Sequence, residues 1–237
     1  MSDPRTELPA ALATLAGALV TDFDFIDLAH SLARSTVATL DAAAAGVMVV
    51  DRRGELQVVA ASDEGTHVLE VFELQRHQGP CFDSWVTGQA VSATDLGAQE
   101  AWPDFSRRAF DLGYVSACAV PLHFRGNGLG ALNVFWSTPH EVTAADLQSA
   151  QALANLAAVG LAQQAAPVNP RDLAEEVESA IHGRIAIEQA KGMLAVQAGI
   201  TVEAAYELMS RYARSQQSFV RAVARDVVER KVTAAQM

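Results

Sequence analysis

The hydrophobic positions switch repeatedly between helical and strand period along the chain. In "PAALATLAGALV" (9–20), Leu12, Leu15, Leu19 and Val20 recur at helical spacing. So narrow an apolar stripe makes a marginal helix alone and requires a partner surface. "DFIDLAHSLARSTVATL" (24–40) continues in the same period through Phe25, Leu28, Leu32, Thr36 and Leu40, with Asp24 as the expected N-cap. The pattern then shortens to that of strands. "AGVMVV" (45–50), a turn at "DRRG" and "LQVVAAS" (56–62) predict a hairpin. Residues 67–77 are helical in period, 79–96 predict loop, short helix and strand, and 101–113 a short helix. A second hairpin is predicted from 114–124 and 129–137, with Asn127-Gly128 the strongest turn dipeptide.

From Thr143 to Ala166 the period is helical again, with Thr143 as cap. "APVNP" (166–170) interrupts it and marks a domain boundary, with Asn169 capping and Pro170 opening the next helix. The remainder predicts three helices. The first (171–197) carries Leu173, Val177, Ile181, Ile185, Ile187, Ala190 and Leu194 and ends at Gly199. The second (202–214) starts behind Thr201, and the third (219–230) behind Ser218.

Charge changes the picture. The whole chain of 237 residues carries −11, which alone argues against nucleic acid. From Gly183 onward, however, 8 basic residues face 5 acidic ones, so an acidic body ends in a locally basic helical tail. Every apolar run is broken by charge before the ~18 residues a membrane helix needs, and "MSDPRTELPA" lacks the layout of a secretory signal. A cytoplasmic protein with no membrane contact is expected. Cys81 and Cys118 form neither a CxxC pair nor a disulfide framework. They read as two reduced thiols, the alternative being a redox pair across the core.

Two families are recognisable in these motifs. "GPCFDSWVTGQAVSATDL", "WPDF" and "LGYVSACAVPLHFRGNGLGALNVFWS" resemble a GAF domain, which implies an antiparallel sheet with flanking helices used as a small-molecule or redox sensor. "RIAIEQAKGMLAVQAGITVEAAYELM" followed by "VRAVARDVVE" resembles an ANTAR domain. That resemblance implies a three-helix bundle that dimerises and binds paired RNA hairpins with hexaloops, preventing terminator folding. Together they imply an α+β chain in three parts: N-terminal helices (1–40) for dimerisation and packing, the sensor (41–166) and the RNA-binding bundle (170–232). Helix 10–20 is expected to pair across a dimer axis, and 25–40 to belong to the sensor.

The ANTAR resemblance and the donor chemistry of the residues nominate Arg184, Gln189, Lys191, Gly192, Tyr206, Arg211, Arg214, Ser215, Gln217, Ser218, Arg221 and Arg225 as RNA contacts. Arginine offers a planar fork for phosphate or a guanine edge. Lys191 is a mobile point charge, and Gly192 leaves the backbone open to close approach. Arg184 lies two turns before Lys191 on nearly the same face. Tyr206 can stack on a base or fill the core. Similar proteins carry a polar-basic turn after the second helix; here it is Gln217-Ser218-Phe219.

For the sensor, Val49, Phe72, Cys81, Trp85, Phe105, Phe110, Cys118 and Phe135 are the candidate pocket lining, or else the filling of a solid core. His67, His77, His123 and His140 have no metal-ligand spacing, and neither a phosphate loop nor a nucleophile–base set is present. No cofactor and no enzymatic activity are expected. The competing function class is a ligand- or redox-responsive module whose helical tail binds a protein.

Overall fold

The computed structural model describes residues 4–20, 23–51, 53–164, 170–216 and 218–237, apart from the side chains of 4–6, 164 and 170–182. The chain divides into two compact units, Met1–Val177 and Glu178–Met237. Residues 166–169 of the predicted break lie outside the described residues; its last residue, Pro170, opens helix α7 (Pro170–Ala198), which runs through the division.

The first unit is built on a five-stranded antiparallel sheet in the order β2-β1-β5-β4-β3. The strands are β1 (Ala44–Val50), β2 (Leu56–Ala61), β3 (Val91–Ala93), β4 (Ser116–Phe124) and β5 (Asn127–Trp136). Helices α2 (Phe25–Leu40) and α6 (Ala144–Gln164) cover one face; α3 (Glu64–Arg76), α4 (Pro80–Thr87) and α5 (Pro103–Asp111) cover the other. Asp24 caps α2 as predicted, its side chain accepting from the Ile26 N–H at 2.8 Å.

Helix α1 (Pro4–Leu19) packs on α2 and α6 of its own chain, with Ala11 and Leu15 buried. The physical reason is a ready partner surface: Gly160 of α6 lets Leu19 and Leu28 approach its backbone closely.

The second hairpin turns within the predicted segment 125–128, but at its first two residues rather than at Asn127-Gly128. Phe124 pairs with Asn127, so the two-residue turn is Arg125-Gly126, both with positive φ (50° and 84°). Asn127-Gly128 lies in the strand. Register decides between the two turns. The observed pairing sets Ala117 opposite Phe135 and Ala119 opposite Asn133, leaving room for α3 and α4 on that face. Shifting the register by one residue would send β5's side chains to the wrong face.

The second unit contains most of α7, α8 (Val202–Ser215) and α9 (Val220–Val228). Gly199 (φ 66°) ends α7, with the Ile200 N–H reaching the Ala195 carbonyl, and Thr201 caps α8 through the Ala204 N–H. Ser218 does not cap α9. Phe219 stands at that position without a capping side-chain bond, because the Ser218 N–H closes α8 on the Ala213 carbonyl. Ile187, Ala190, Leu194, Ala205, Met209, Val223, Ala224 and Val227 form the buried core. Ile185, expected in the buried stripe, is 53% exposed; Arg184 takes the inward position one and two turns before Ile187 and Lys191.

Candidate nucleic-acid interface and sensor interior

In the helical unit the predicted contact residues fall into two groups. Arg211, Arg214 and Ser215 at the end of α8, Ser218 in the following turn and Arg225 on α9 are exposed. Arg221 is half-buried, its guanidinium 5.7 Å from the Phe219 ring. On α7, Gln189 and Gly192 are exposed, and a Cβ added at Gly192 would meet nothing within 4 Å. The helix therefore has no use for this glycine in its own packing. Its face continues through Ile185 and Val196, both exposed, at spacings of four, seven and eleven residues.

The second group is turned inward. Arg184 and Tyr206 are buried, at 7% and 8% exposure. Lys191 is half-buried and its Nζ donates to Glu188 Oε2 at 2.8 Å. Gln217 lies outside the described residues. At the chain's end Lys231 pairs with Asp226 and Glu229, which raises its own pKa and lowers that of Glu229.

In the sensor, the eight candidate pocket residues do not converge on one cavity. Phe105 of α5 and Phe135 of β5 are fully buried together, their ring centroids 6.4 Å apart, with Tyr114 stacked on Phe135. Cys81 joins a second cluster with Met48, Ala119 and Ala131 on the same face. Val49 and Cys118 alternate with those residues and face α2 and α6 instead. The two thiols are free and on opposite sides of the sheet, which removes the redox pair. Burial pushes the Cys118 thiol up to about 12 and raises Cys81 well above its usual value, so neither is a ready thiolate. Phe110 is 42% exposed. Trp85 and Phe72 line separate open grooves, each of about 500 Å³. Among the described residues no group of three or more potential ligands could hold a metal, and no helix is long and apolar enough to cross a membrane.

Sequence reasoning missed the most unusual interior feature. On α3 the buried positions are Thr66, Leu69, Glu70 and Glu73, so two carboxyl groups occupy the core stripe. Their i, i+3, i+4, i+7 spacing was the available signal. Gly46 of β1 has no side chain because the Glu70 carboxyl fills that space. Glu73 accepts from the Phe82 N–H and from Asn133 Nδ2, both at 2.9 Å. Burial outweighs these bonds and raises its pKa to about 7.

Comparison with known proteins follows this division. A GAF-domain model matches residues 24–162 and an ANTAR-domain model residues 168–228. No curated protein matches the chain. The GAF domain of the phosphoenolpyruvate-protein phosphotransferase from Acinetobacter is 15% identical, at a TM-score of 0.52 over 69% of this chain and 96% of that one. Its counterpart from Coxiella burnetii is 16% identical, at 0.53 over 68% and 96%. A GAF domain/HD domain protein from Geobacter sulfurreducens is 18% identical, at 0.51 over 63% and 99%. At such identities these structures establish the fold alone. The matched GAF segment starts at α2, which accordingly belongs with the sheet. The chain thus belongs to the GAF-domain family, its sensor fold followed by an ANTAR domain, the RNA-binding module of antitermination regulators.

Proposed function

We propose that this chain is a cytoplasmic transcription antitermination regulator that works as a homodimer. Its ANTAR bundles grip two hexaloop hairpins of one transcript and hold the RNA away from its terminator fold. The GAF domain supplies the signal, by a small molecule or by a change of its own packing. Both matched modules are regulatory, and the mechanism is a shift between two RNA folds without chemistry on a substrate.

The observation that carries this reading is the exposure of Arg211, Arg214 and Arg225 on a unit otherwise closed around an apolar core. A cation that buries no surface in its own chain is available to phosphate, and arginine adds bidentate geometry. Arg184 and Tyr206, buried, act as supports of this surface rather than as its contacts. Gln189 and Gly192 extend it along α7. Lys191 reaches RNA only if it exchanges Glu188 for phosphate.

A gel-shift with a two-hairpin RNA tests the reading. The full chain should prefer that RNA to an unstructured strand of equal length, and Arg211→Ala with Arg214→Ala should weaken binding at least tenfold. Equal affinity for both RNAs would overturn it and favour a tail that binds protein. Sedimentation at micromolar concentration checks the dimer; a monomer would remove that part.

A further inference from the structure

Helix α4 is held at its start by a residue from another element. Gly79, its N-cap, offers no side chain and stands at φ 150°, where a Cβ would run into Glu73. The cap is supplied instead by Glu73 of α3, whose Oε1 accepts from the Phe82 N–H at 2.9 Å. The Cys81 N–H also bonds this carboxyl. Its Oε2 accepts from Asn133 Nδ2 of β5 at 2.9 Å. One buried carboxyl therefore joins α3, α4 and the sheet. The other end of the Asn133 amide, Oδ1, is fully buried and has no hydrogen-bond partner among the described residues. Because the carboxyl faces the donor end of this amide, a proton on Oε2 requires the amide to turn and bring Oδ1 round, with Nδ2 taking the place Oδ1 held.

We propose that Glu73 is a proton-binding site whose occupancy latches or loosens α4, so that the sensor domain answers pH. This rests on the reading of the first unit as a sensor. A proton from solvent adds to Oε2, and the Asn133 amide turns over so that Oδ1 accepts the new O–H. Oε1 remains on Phe82, now as a neutral acceptor. The hydrogen bond loses its charge assistance, and the helix N-terminus loses its nearby anion.

The surroundings favour proton uptake. Glu70 on α3 and Asp83 on α4 are the carboxyl groups nearby, and the Cys81 thiol is neutral. The strands beneath present Gly46, Met48, Ala119 and Asn133, none of which titrates. Towards α5 the charged groups of the α3 end are Arg76 and Asp104, paired with each other at 3.8 Å. Loosening has an outlet, because α4 carries Phe82 and Trp85, and Asp83 Oδ2 accepts from Trp102 Nε1 at 2.8 Å. His77, whose ring stands edge-on to Phe82, is the neighbouring imidazole to be separated from this effect.

A pH titration of the ¹⁵N-labelled full chain by NMR is the test. The Phe82 amide and the Asn133 side-chain amide should move together with one midpoint near pH 7. The transition should vanish in Glu73→Gln and persist in His77→Gln. A Phe82 amide that stays still through neutrality, or one that moves equally in Glu73→Gln, overturns the proposal. If Glu73→Gln does not fold, the ¹³C carboxyl shift of Glu73 in the unmodified chain decides. Titration in the ordinary glutamate range refutes the latch, and titration near neutrality together with Phe82 supports it. Failure of RNA binding at every pH would overturn the RNA reading without touching these resonances.

Discussion

Glu73 makes a pH prediction of its own at the scale of one residue. Its pKa stands at about 7 in the fold against 4.5 for an ordinary glutamate, so the folded chain binds more protons than the unfolded one between those limits. This group's contribution to stability is therefore full below pH 4.5, declines as pH rises, and is lost above about 7. The difference is about 3 kcal/mol, an order-of-magnitude figure from 1.36 kcal/mol per unit. In urea melts, Glu73→Gln should gain that amount relative to the unmodified chain between pH 4.5 and 8; a constant difference would refute the assignment. The composition of α3 hid this site. A glutamate is almost never fully buried, so a helix with two of them reads as solvated, and only the glycine-lined space at Gly46 and Gly79 admits them.

At the scale of the element, Gly192 separates folding from function. It is an exposed mid-helix glycine with open space about it, so Gly192→Ala should raise stability by about 1 kcal/mol. If RNA approaches the α7 backbone there, the same change should weaken binding several-fold. A more stable variant with unaltered affinity would show that the face is unused. The element scale also shows where periodicity reads well. The boundaries of α2, α8 and the first hairpin follow from caps and turn residues, because these are local hydrogen-bond requirements. The choice between Arg125-Gly126 and Asn127-Gly128 is not local. Both dipeptides can turn, and the face that β5 must present to α3 and α4 selects one.

For the whole molecule, charge is distributed rather than balanced. The chain carries −11, yet its last part presents exposed arginines. Binding through them should weaken steeply with salt, since each phosphate contact releases counterions. Removing Arg214 or Arg225 should lower the slope of log affinity against log salt by roughly 1 each. A slope unchanged by both would mean these arginines do not touch the backbone. Removing Arg184, which is buried, should reduce stability more than it reduces the slope.

The sequence by itself determined the two modules, their order and nearly every helix and strand. Those features rest on periodicity, caps and motif spacing, all of which are local. Tertiary structure alone decided which side of each element faces inward. It turned Val49 and Cys118 away from Cys81, exposed Phe110 and Ile185, and buried Arg184 and Tyr206. It also placed two carboxyl groups where apolar side chains were to be expected. Facing is settled by the free energy of packing one element on another, and the partner of a face is written nowhere in that face's own residues.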